Sequence, residues 1–249
     1  MSLIQKPGAG RTFFVADLHL TDERPVATGR FFHFLQETVA GADALYLLGD
    51  LFEAWIGDDH DEQVARDTAD RLKALAASGT AVYFMHGNRD FMLAERYAAQ
   101  SGMTLLADPA RIEFYGTPTL LMHGDTLCTD DTAYQRFRQR VRHPLTLALL
   151  RRLPFALRRR LARRARAGSE SAKAGKPADI MDVNADEVMR VLREHKVGRL
   201  IHGHTHRPGR HLHAVDGQDC ERWVLPDWYT RWGYVACDAT GCTLKVEDL

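Results

Sequence analysis

Five short apolar segments, each followed at once by a cluster of Asp, His, Asn or Gly, constrain the fold of this chain more than any other feature. The segments have the length and composition of buried β-strands, and they cover residues 12–16, 44–48, 81–85, 119–122 and 200–201. The polar clusters that follow them read ADLH, LGD, HGNRD, HGD and HGHTH. Ligand sites in open α/β sheets lie at the carboxyl ends of the strands, so we expect the clusters to meet at one edge.

Helical segments alternate with these strands. Helical periodicity is found at residues 26–40, 63–78, 93–100 and 185–194. Gly79 and Gly102 follow two of these segments, where a helix C-terminus often requires glycine. The alternation predicts an α/β fold with a layered sheet. Near the C-terminus, short strands without intervening helices indicate antiparallel pairing that completes this sheet or a second one, at residues 222–225, 234–237 and 242–246.

Length and composition predict one globular domain, residues 1–249, that has room for an insertion. The apolar content of 45% and the charged content of 27% are ordinary for such a domain. The sequence contains no run of 18 apolar residues and no recognisable secretory signal at its start. Four widely spaced cysteines form no CxxC pair, so we expect reduced thiols in a cytosolic protein rather than a disulfide framework.

A strongly basic segment is hidden by the net charge of zero. Residues 136–176 contain twelve Arg and two Lys but a single acid, Glu170. This segment therefore carries about +13 and the remainder about −13, which suggests that one region faces an anionic partner. Within it, residues 143–167 combine arginines with leucines at three- and four-residue spacing, and Pro154 is expected to divide two helices.

Three interpretations of the basic helices remain open at this point. A basic amphipathic helix can bind a membrane interface, with its apolar side chains at the acyl boundary and its arginines at anionic headgroups. In the second interpretation, the leucines only pack on the domain and the arginines are solvated. A nucleic-acid surface is the least favoured of the three, because the arginines are not interleaved with aromatic stacking residues.

Seven residues of the polar clusters have side chains suited to binding metal ions: Asp17, His19, Asp50, Asn88, His123, His204 and His206. Taken singly, an Asp after a strand is usually a turn former, and a lone His is more often a packing residue than a ligand. Asp17 and His19 are alternate residues, as are His204 and His206, and alternate residues of an extended chain project to the same side. Asp50 has two carboxylate oxygens and can bridge two cations.

The chemistry of this set narrows the choice of metal and reaction. Nitrogen and oxygen ligands without thiolate suit Mn, Fe, Zn or Co, and the number of histidines argues against Mg or Ca alone. Two such cations would clamp an in-line phosphoryl displacement and lower the pKa of a bound water. The sequence therefore predicts a two-metal phosphoesterase.

The order DLH, GD, GNRD, HGD and GHTH resembles that of the calcineurin-like metallophosphoesterase superfamily. The resemblance implies an α/β fold, a four-layer α/β/β/α sandwich with a helical insertion and a dinuclear site at the sheet edge. It also implies two ligand sets that share one bridging carboxylate: Asp17, His19, Asp50 and His206 for one metal, and Asp50, Asn88, His123 and His204 for the other. His86 and His202 are not ligands in this pattern, and we assign them to packing around the site.

Longer stretches are similar to the family of UDP-2,3-diacylglucosamine diphosphatases, which are hydrolases of lipid A biosynthesis. The similarity runs from about residue 12 to residue 208 and rests on ADLHL, ALYLLGDLFEAWIGDD, HGNRDF, LMHGDTLCTDD, IMDVN and LIHGHTHRP. It implies metal-activated water attack on the α-phosphorus of UDP-2,3-diacylglucosamine, which gives UMP and 2,3-diacylglucosamine 1-phosphate (lipid X). The implied cofactors are two Mn²⁺ per chain, although other divalent transition metals suit the ligands.

The same resemblance gives the basic helices a role. Residues of about 131–182 would form an inserted cap that shelters the acyl chains of the lipid substrate and docks on the anionic inner leaflet. The expected location is therefore cytoplasmic and peripheral on the cytoplasmic face of the inner membrane. No nucleic-acid partner is expected.

The resemblance also implies roles for individual residues. Catalytic roles fall to Arg89, Asp50 and His19, with Arg89 contacting the diphosphate and stabilising the developing charge. Substrate contacts are expected from Asn88, Arg89, Asp131, Tyr134, Ser169, Lys173, Lys176 and His204. Structural roles compete at three of these positions, because Asp131 could cap the following helix and Lys173 and Lys176 could be ordinary loop charges. Lys173 also departs from the Asn or Thr that the family usually has there.

Two other functions compete with the lipid-pathway hydrolase. A soluble metallophosphoesterase could act on nucleotides or other phosphodiesters, but such a substrate would not need a basic, leucine-rich insertion. A non-catalytic scaffold with a decayed site is the alternative of another class. The presence of competent residues at all seven ligand positions argues against decay.

Overall fold

The computed structural model describes residues 3–4, 10–173 and 182–249. In this part of the chain two six-stranded sheets face each other. The first sheet has the spatial order β12 (Gly241–Asp248), β11 (Arg231–Asp238), β2 (Thr12–Val15), β3 (Ala44–Leu48), β4 (Ala81–Met85) and β5 (Thr104–Leu106). The second has the order β1 (Leu3–Ile4), β6 (Ala110–Phe114), β7 (Thr117–Leu121), β8 (Arg199–His202), β10 (Gln218–Val224) and β9 (Gly209–Val215).

Both sheets are mixed. Strands β2 to β5 are parallel to one another, and β11 pairs antiparallel with both β2 and β12. In the second sheet β7, β8 and β10 are parallel, whereas β6 and β9 pair antiparallel with β7 and β10. Strands β2, β3, β4, β7 and β8 therefore deliver the polar clusters from their carboxyl ends, as the sequence predicts.

Helices cover the outer face of each sheet. Those described are α1 (Pro25–Phe34), α2 (Gln63–Ala77), α3 (Glu95–Ser101), α4 (Thr132–Val141), α5 (Pro144–Arg152), α6 (Phe155–Lys173) and α7 (Ala185–His195). The first three pack on the first sheet, and α7 packs on the second. The order of layers is helix, sheet, sheet, helix, so the expected four-layer α/β/β/α sandwich is confirmed.

The alternating side chains of β2 show why the sheets are buried on both faces. Phe13 and Val15 pack with Phe31 of α1 in the outer core. Phe14 points the other way, into the core between the sheets, where its ring lies 5.3 Å from that of Phe114. Successive strand residues project to opposite faces, so a strand that is apolar throughout requires a layer on each side.

Helices α4 to α6 contribute few side chains to these cores. No residue of α4 or α5 is buried, and Leu145 and Leu149 are 76% and 61% exposed. Pro154 separates α5 from α6, as predicted. Arg158 of α6 is the exception, because its side chain is buried. The proposed boundaries of a cap, about 131–182, stay a prediction.

Local differences from the sequence prediction have identifiable causes. The helix predicted at 26–40 is α1 followed by a π-helical turn, Leu35–Val39. Strands β5, β6 and β9 were not predicted, because β5 has only three residues, β6 alternates in exposure and β9 is largely exposed, so none contains a long apolar run. None of the described helices has both the length and the apolar character needed to cross a bilayer.

The expectation of four reduced thiols is wrong for one pair, since Cys237 and Cys242 form a disulfide. These residues are direct partners in the antiparallel register of β11 and β12. A short turn joins the two strands and brings residues five positions apart opposite each other. Sequence spacing alone did not reveal the disulfide, because the hairpin register that pairs these two cysteines was not part of the prediction. Cys128 and Cys220 are buried thiols.

Candidate metal centre

The seven predicted metal ligands meet at one edge of the sandwich. Asp17 and His19 follow β2, and the remaining ligands follow β3, β4, β7 and β8. Backbone hydrogen bonds join the loops, because Asp17 N donates to Gly49 O at 3.0 Å and His19 N donates to Asp50 O at 2.9 Å. The two sheets are joined similarly, by Gly203 N donating to His123 O at 2.9 Å.

One group of donor atoms surrounds Asp17. The Nε2 atom of His19 lies 4.0 Å from Asp17 Oδ1 and 3.9 Å from Asp50 Oδ2. His206 Nε2 approaches the same Asp17 Oδ1 to 3.5 Å. The donor atoms of Asp17, His19 and His206 all lie within 4.8 Å of one another, close enough to share one cation.

A second group lies on the other side of Asp50. Asp50 Oδ1 is 3.9 Å from His123 Nε2. The Asn88 Oδ1 atom lies 3.1 Å from that same nitrogen and 3.0 Å from His204 Nδ1. Asp50 therefore presents one carboxylate oxygen to each group, which is the arrangement that a bridging ligand requires.

Two buried atoms of the first group fit a cation. Asp17 Oδ1 and His19 Nε2 have no hydrogen-bond partner among the described residues. Leaving such atoms buried and unsatisfied costs about 1–3 kcal/mol each, so a native site normally satisfies them. A carboxylate oxygen and an imidazole nitrogen that face each other at 4.0 Å suit a divalent metal, and the absence of thiolate favours Mn, Fe, Zn or Co.

The backbone of the ligand loops corrects one step of the sequence reasoning. The pairs separated by one residue were expected to converge because an extended chain projects alternate side chains to one side. Instead, all four residues of these pairs and Asp50 adopt left-handed backbone conformations, with φ between 50° and 69° at Asp17, His19, Asp50, His204 and His206. Non-glycine residues adopt this conformation at a cost, and such outliers concentrate at functional sites. The side chains converge through these turns and not through an extended strand.

Glycine is required where the loops touch. A Cβ atom on Gly87 would clash with the Oδ1 and backbone N atoms of Asp50. One on Gly203 would clash with the Asp17 carboxylate and with Ala16. The ligand loops therefore approach more closely than any other residue type permits.

Charges inside the site act in different directions on different ligands. Burial would lower the pKa of His123, but the neighbouring Asp50 and Asp125 outweigh it and raise this pKa to about 9, so this imidazole must release a proton when it binds a cation. Burial alone would raise the pKa of Asp17, but the interaction of its carboxylate with the nearby His206 imidazole holds this pKa well below its usual range. Burial and the nearby His123 lower the pKa of His204 to about 3. Asp17 is therefore ionised and His204 neutral near pH 7, and metal ligation requires these forms.

Asp90, which the sequence analysis left unassigned, fastens two ligand loops together. Its carboxylate accepts hydrogen bonds from Gly87 N at 2.8 Å and from Leu51 N at 2.7 Å. Burial and the neighbouring Asp50 raise the pKa of Asp90 to about 7. The last residue of the GNRD motif thus holds the loops that carry Asp50 and Asn88.

Arg89 lies beside the second group of ligands. Its backbone N donates to Asp50 Oδ1 at 2.8 Å, and its Nη1 atom lies 3.3 Å from Glu53 Oε1.

Two residues that the sequence analysis missed, Glu53 and Tyr229, lie beside His19. The Tyr229 ring stacks on His19 with centroids 4.7 Å apart. An acid between Phe52 and Ala54 in an otherwise apolar stretch was the available signal for Glu53.

The two substrate residues predicted near α4 make contacts within the protein. Asp131 caps α4, since its side chain accepts a hydrogen bond from Tyr134 N at 3.1 Å. The Tyr134 hydroxyl donates to Asp125 Oδ2 at 2.6 Å, and its ring lies 6.1 Å from that of His204. The structural alternative for Asp131 is therefore observed, and contact of either residue with substrate stays a prediction.

The remaining predicted positions divide into two groups. Lys176 lies outside the described residues, and the side chains of Ser169 and Lys173, at the end of α6, are also outside the described part. His86 and His202 contact backbone carbonyls, and their assignment to packing around the site stays a prediction. His86 Nε2 lies 2.7 Å from Leu93 O, and His202 Nδ1 lies 2.8 Å from Gly203 O.

Comparison with known proteins finds a family model and curated relatives that match most of the chain. Residues 10–208 match the family model described as calcineurin-like phosphoesterase. A UDP-2,3-diacylglucosamine hydrolase from Enterobacter sp. (strain 638) is 49% identical over 94% of this chain and 97% of its own length. The protein of the same name from Pseudomonas aeruginosa (strain UCBPP-PA14) is 50% identical over 92% of this chain and 95% of its own. A solved archaeal phosphodiesterase, 10% identical, aligns over 96% of this chain and 99% of its own with a TM-score of 0.48.

Proposed function

The chain belongs to the calcineurin-like phosphoesterase family, and from this premise we propose that it hydrolyses the diphosphate of UDP-2,3-diacylglucosamine in lipid A biosynthesis. The observation that carries the proposal is the near-complete alignment, at about 50% identity, with hydrolases that are named for this substrate. Water attack at the α-phosphorus would give UMP and 2,3-diacylglucosamine 1-phosphate.

The family implies divalent metal ions, and we assign two Mn²⁺ to the seven donors. Asp17, His19 and His206 would hold one ion, and Asn88, His123 and His204 the other, with the Asp50 carboxylate shared. When bound, the ions would supply positive charge for the diphosphate and acidify a water. The identity and number of the ions belong to this proposal.

The side chains around the ligands would bind and orient the diphosphate. Arg89 follows the ligand Asn88, and only about a fifth of its side chain is exposed, so a phosphate oxygen could replace part of its contact with Glu53. A guanidinium beside developing negative charge stabilises the transition state. Asp50 and His19 would act through their position in the metal centre.

Helices α4 to α6 would serve the lipid part of the substrate. The exposed leucines of α5 and α6 lie on the same helices as many of the exposed arginines, which suits acyl chains beside anionic headgroups. We therefore place the protein on the cytoplasmic face of the inner membrane, as a peripheral protein. Among the predicted substrate residues, His204 and Tyr134 already lie beside one another at the base of this region.

Release of UMP tests the proposal directly. Purified protein with Mn²⁺ should release UMP from UDP-2,3-diacylglucosamine much faster than from UDP-sugars without acyl chains. Asp50→Ala should abolish release while the melting temperature stays close to that of the unaltered protein, and the exposed Asp219→Ala should be fully active as a matched control. Equal rates on both substrates would favour a general phosphoesterase, and no release from either would favour the scaffold.

A further inference from the structure

The carboxylate of Glu53 lies where the metal centre, the loop after β10 and helix α6 meet. Its Oε2 atom is 3.3 Å from His19 Nδ1 and accepts a hydrogen bond from the Tyr229 hydroxyl at 2.9 Å. Its Oε1 atom is 3.3 Å from Arg89 Nη1 and also 3.3 Å from Arg166 Nη2. One carboxylate thus faces four side chains from four separate segments.

Backbone hydrogen bonds fix the position of Glu53 against the loop that carries His19 and against helix α6. Its backbone N donates to Leu20 O at 3.0 Å, which ties it to the loop that carries His19. Its backbone carbonyl accepts a hydrogen bond from the guanidinium of Arg166 on α6. Arg166 therefore contacts Glu53 through both the main chain and the side chain, and α6 cannot shift without disturbing this residue.

The contact of Glu53 with His19 affects the tautomer and the orientation of the His19 imidazole. Its Nε2 atom faces Asp17 and Asp50, and its Nδ1 atom faces Glu53. A metal-binding histidine commonly directs its second ring N–H to a carboxylate, which fixes the tautomer and the orientation of the ring. Nδ1 makes no hydrogen bond of regular geometry with the described residues, and the Glu53 carboxylate, at 3.3 Å, is the acceptor that it faces. With Nδ1 protonated towards Glu53, Nε2 keeps its lone pair for a cation.

The two arginines at Oε1 hold the carboxylate between them. Arg89 lies on the metal side and Arg166 on the α6 side, both at 3.3 Å. With Arg166 removed, the remaining attraction at Oε1 would come from Arg89 alone and would draw the carboxylate towards it. The opposite oxygen, Oε2, would then lose its alignment with His19.

We propose that Glu53 is a positioning residue that couples the docking of α6 to the orientation of His19, so that metal affinity depends on α6 being in place. This inference rests on the proposed function, since it assumes that His19 is a metal ligand. In this proposal Glu53 acts through its contact with His19 and not by binding the diphosphate. The contacts from Arg166 through Glu53 to His19 thus connect the helix that would bind the lipid with the site of phosphoryl chemistry.

Metal titration of three variants tests the coupling. The full-length chain is stripped of metal and titrated with MnCl₂ in a calorimeter, and the electron paramagnetic resonance spectrum of bound Mn²⁺ is recorded. Glu53→Gln keeps the shape of the side chain and should raise the Kd of one of the two sites about 10–100-fold. Arg166→Gln should raise the same Kd by about 3–10-fold and alter the same spectrum. Arg163→Gln removes an equal charge from an exposed position on α6 and should change neither.

The possible outcomes are distinguishable. Unchanged affinity in Glu53→Gln, or an effect of Glu53→Gln without any effect of Arg166→Gln, would overturn the coupling. Equal losses in Arg166→Gln and Arg163→Gln would also overturn it, because net charge and not the contact would then control affinity. If the unaltered protein bound no Mn²⁺, the proposed function would fail instead. Thermal melting of each variant shows whether the fold is intact.

Discussion

Arg158→Ala should loosen helix α6 far more than removal of the acid that pairs with Arg158. The Arg158 side chain is 6% exposed and lies across the gap between α6 and the body of the sandwich. Its guanidinium donates to the carbonyl of Ile56, to the Asp59 carboxylate (Nη1–Oδ1 2.8 Å) and, through Nε, to Leu153 O at 3.0 Å. Two of these acceptors are backbone carbonyls.

The burial of each partner sets the expected magnitudes. A hydrogen bond from a charged donor contributes about 1.5–3 kcal/mol. The Leu153 carbonyl belongs to the link between α5 and α6, so it is the loss of the buried Ile56 contact that should cost about 3 kcal/mol of docking. The Asp59 side chain is 46% exposed, so solvent screening limits its ion pair to less than about 1 kcal/mol. A cost of about 3 kcal/mol corresponds to an increase of about 100-fold in the population in which α6 is undocked.

Hydrogen exchange measured by mass spectrometry separates the two contributions. Peptides from α6 should exchange about 100-fold faster in Arg158→Ala and less than about 5-fold faster in Asp59→Asn, while peptides from α7 keep their rates as an internal control. Equal acceleration in both variants would refute the reasoning, because the ion pair and not the Ile56 contact would then hold the helix. No acceleration in either would show that Arg158 does not anchor α6.

Two further variants test the burial of charge and the contact between loops. Burial and the neighbouring Asp125 raise the pKa of Asp108 to about 6, above its usual value, so stability is lost as the pH rises from about 4 to about 6. Asp108→Asn should therefore gain up to about 3 kcal/mol over the unaltered protein between pH 4 and pH 7 in urea unfolding, and a constant difference would contradict this. Gly87→Ala should displace Asp50 and weaken Mn²⁺ binding at least about 10-fold by calorimetry, whereas Gly29→Ala, with no atoms near its added Cβ, should bind normally. Normal binding by Gly87→Ala would show that the loops can separate.

The sequence predicted much of the fold because buried parallel strands produce continuous apolar runs. The segments 44–48 and 81–85 coincide with β3 and β4. Largely exposed strands, such as β9, were missed because they contain no long apolar run. The disulfide was missed for a related reason: the pairing of Cys237 with Cys242 depends on a hairpin register that composition does not reveal.

The sequence predicted which residues form the candidate site but not the backbone conformations that bring them together. The convergence of the seven donors followed from their placement after strands, but the left-handed conformation of Asp17 or His204 has no signature in residue type. Supporting residues were harder still. Glu53 and Asp90 act through contacts between segments that are distant in the chain, such as Glu53 with Arg166, and no local pattern encodes such a contact.

Several arginines of helices α4 to α6 form ion pairs with acidic side chains elsewhere in the chain, so these helices neutralise part of its negative charge. Arg138 pairs with Asp125, Arg158 with Asp59 and Arg166 with Glu53, so basic residues neutralise acids that belong to the body of the sandwich. A version of the protein shortened by these helices would carry a large uncompensated negative charge around a cleft that must admit a polyanion. A shortened chain would therefore also need neutral residues in place of those acids. We expect substitutions in the body of the sandwich and in helices α4 to α6 to occur together.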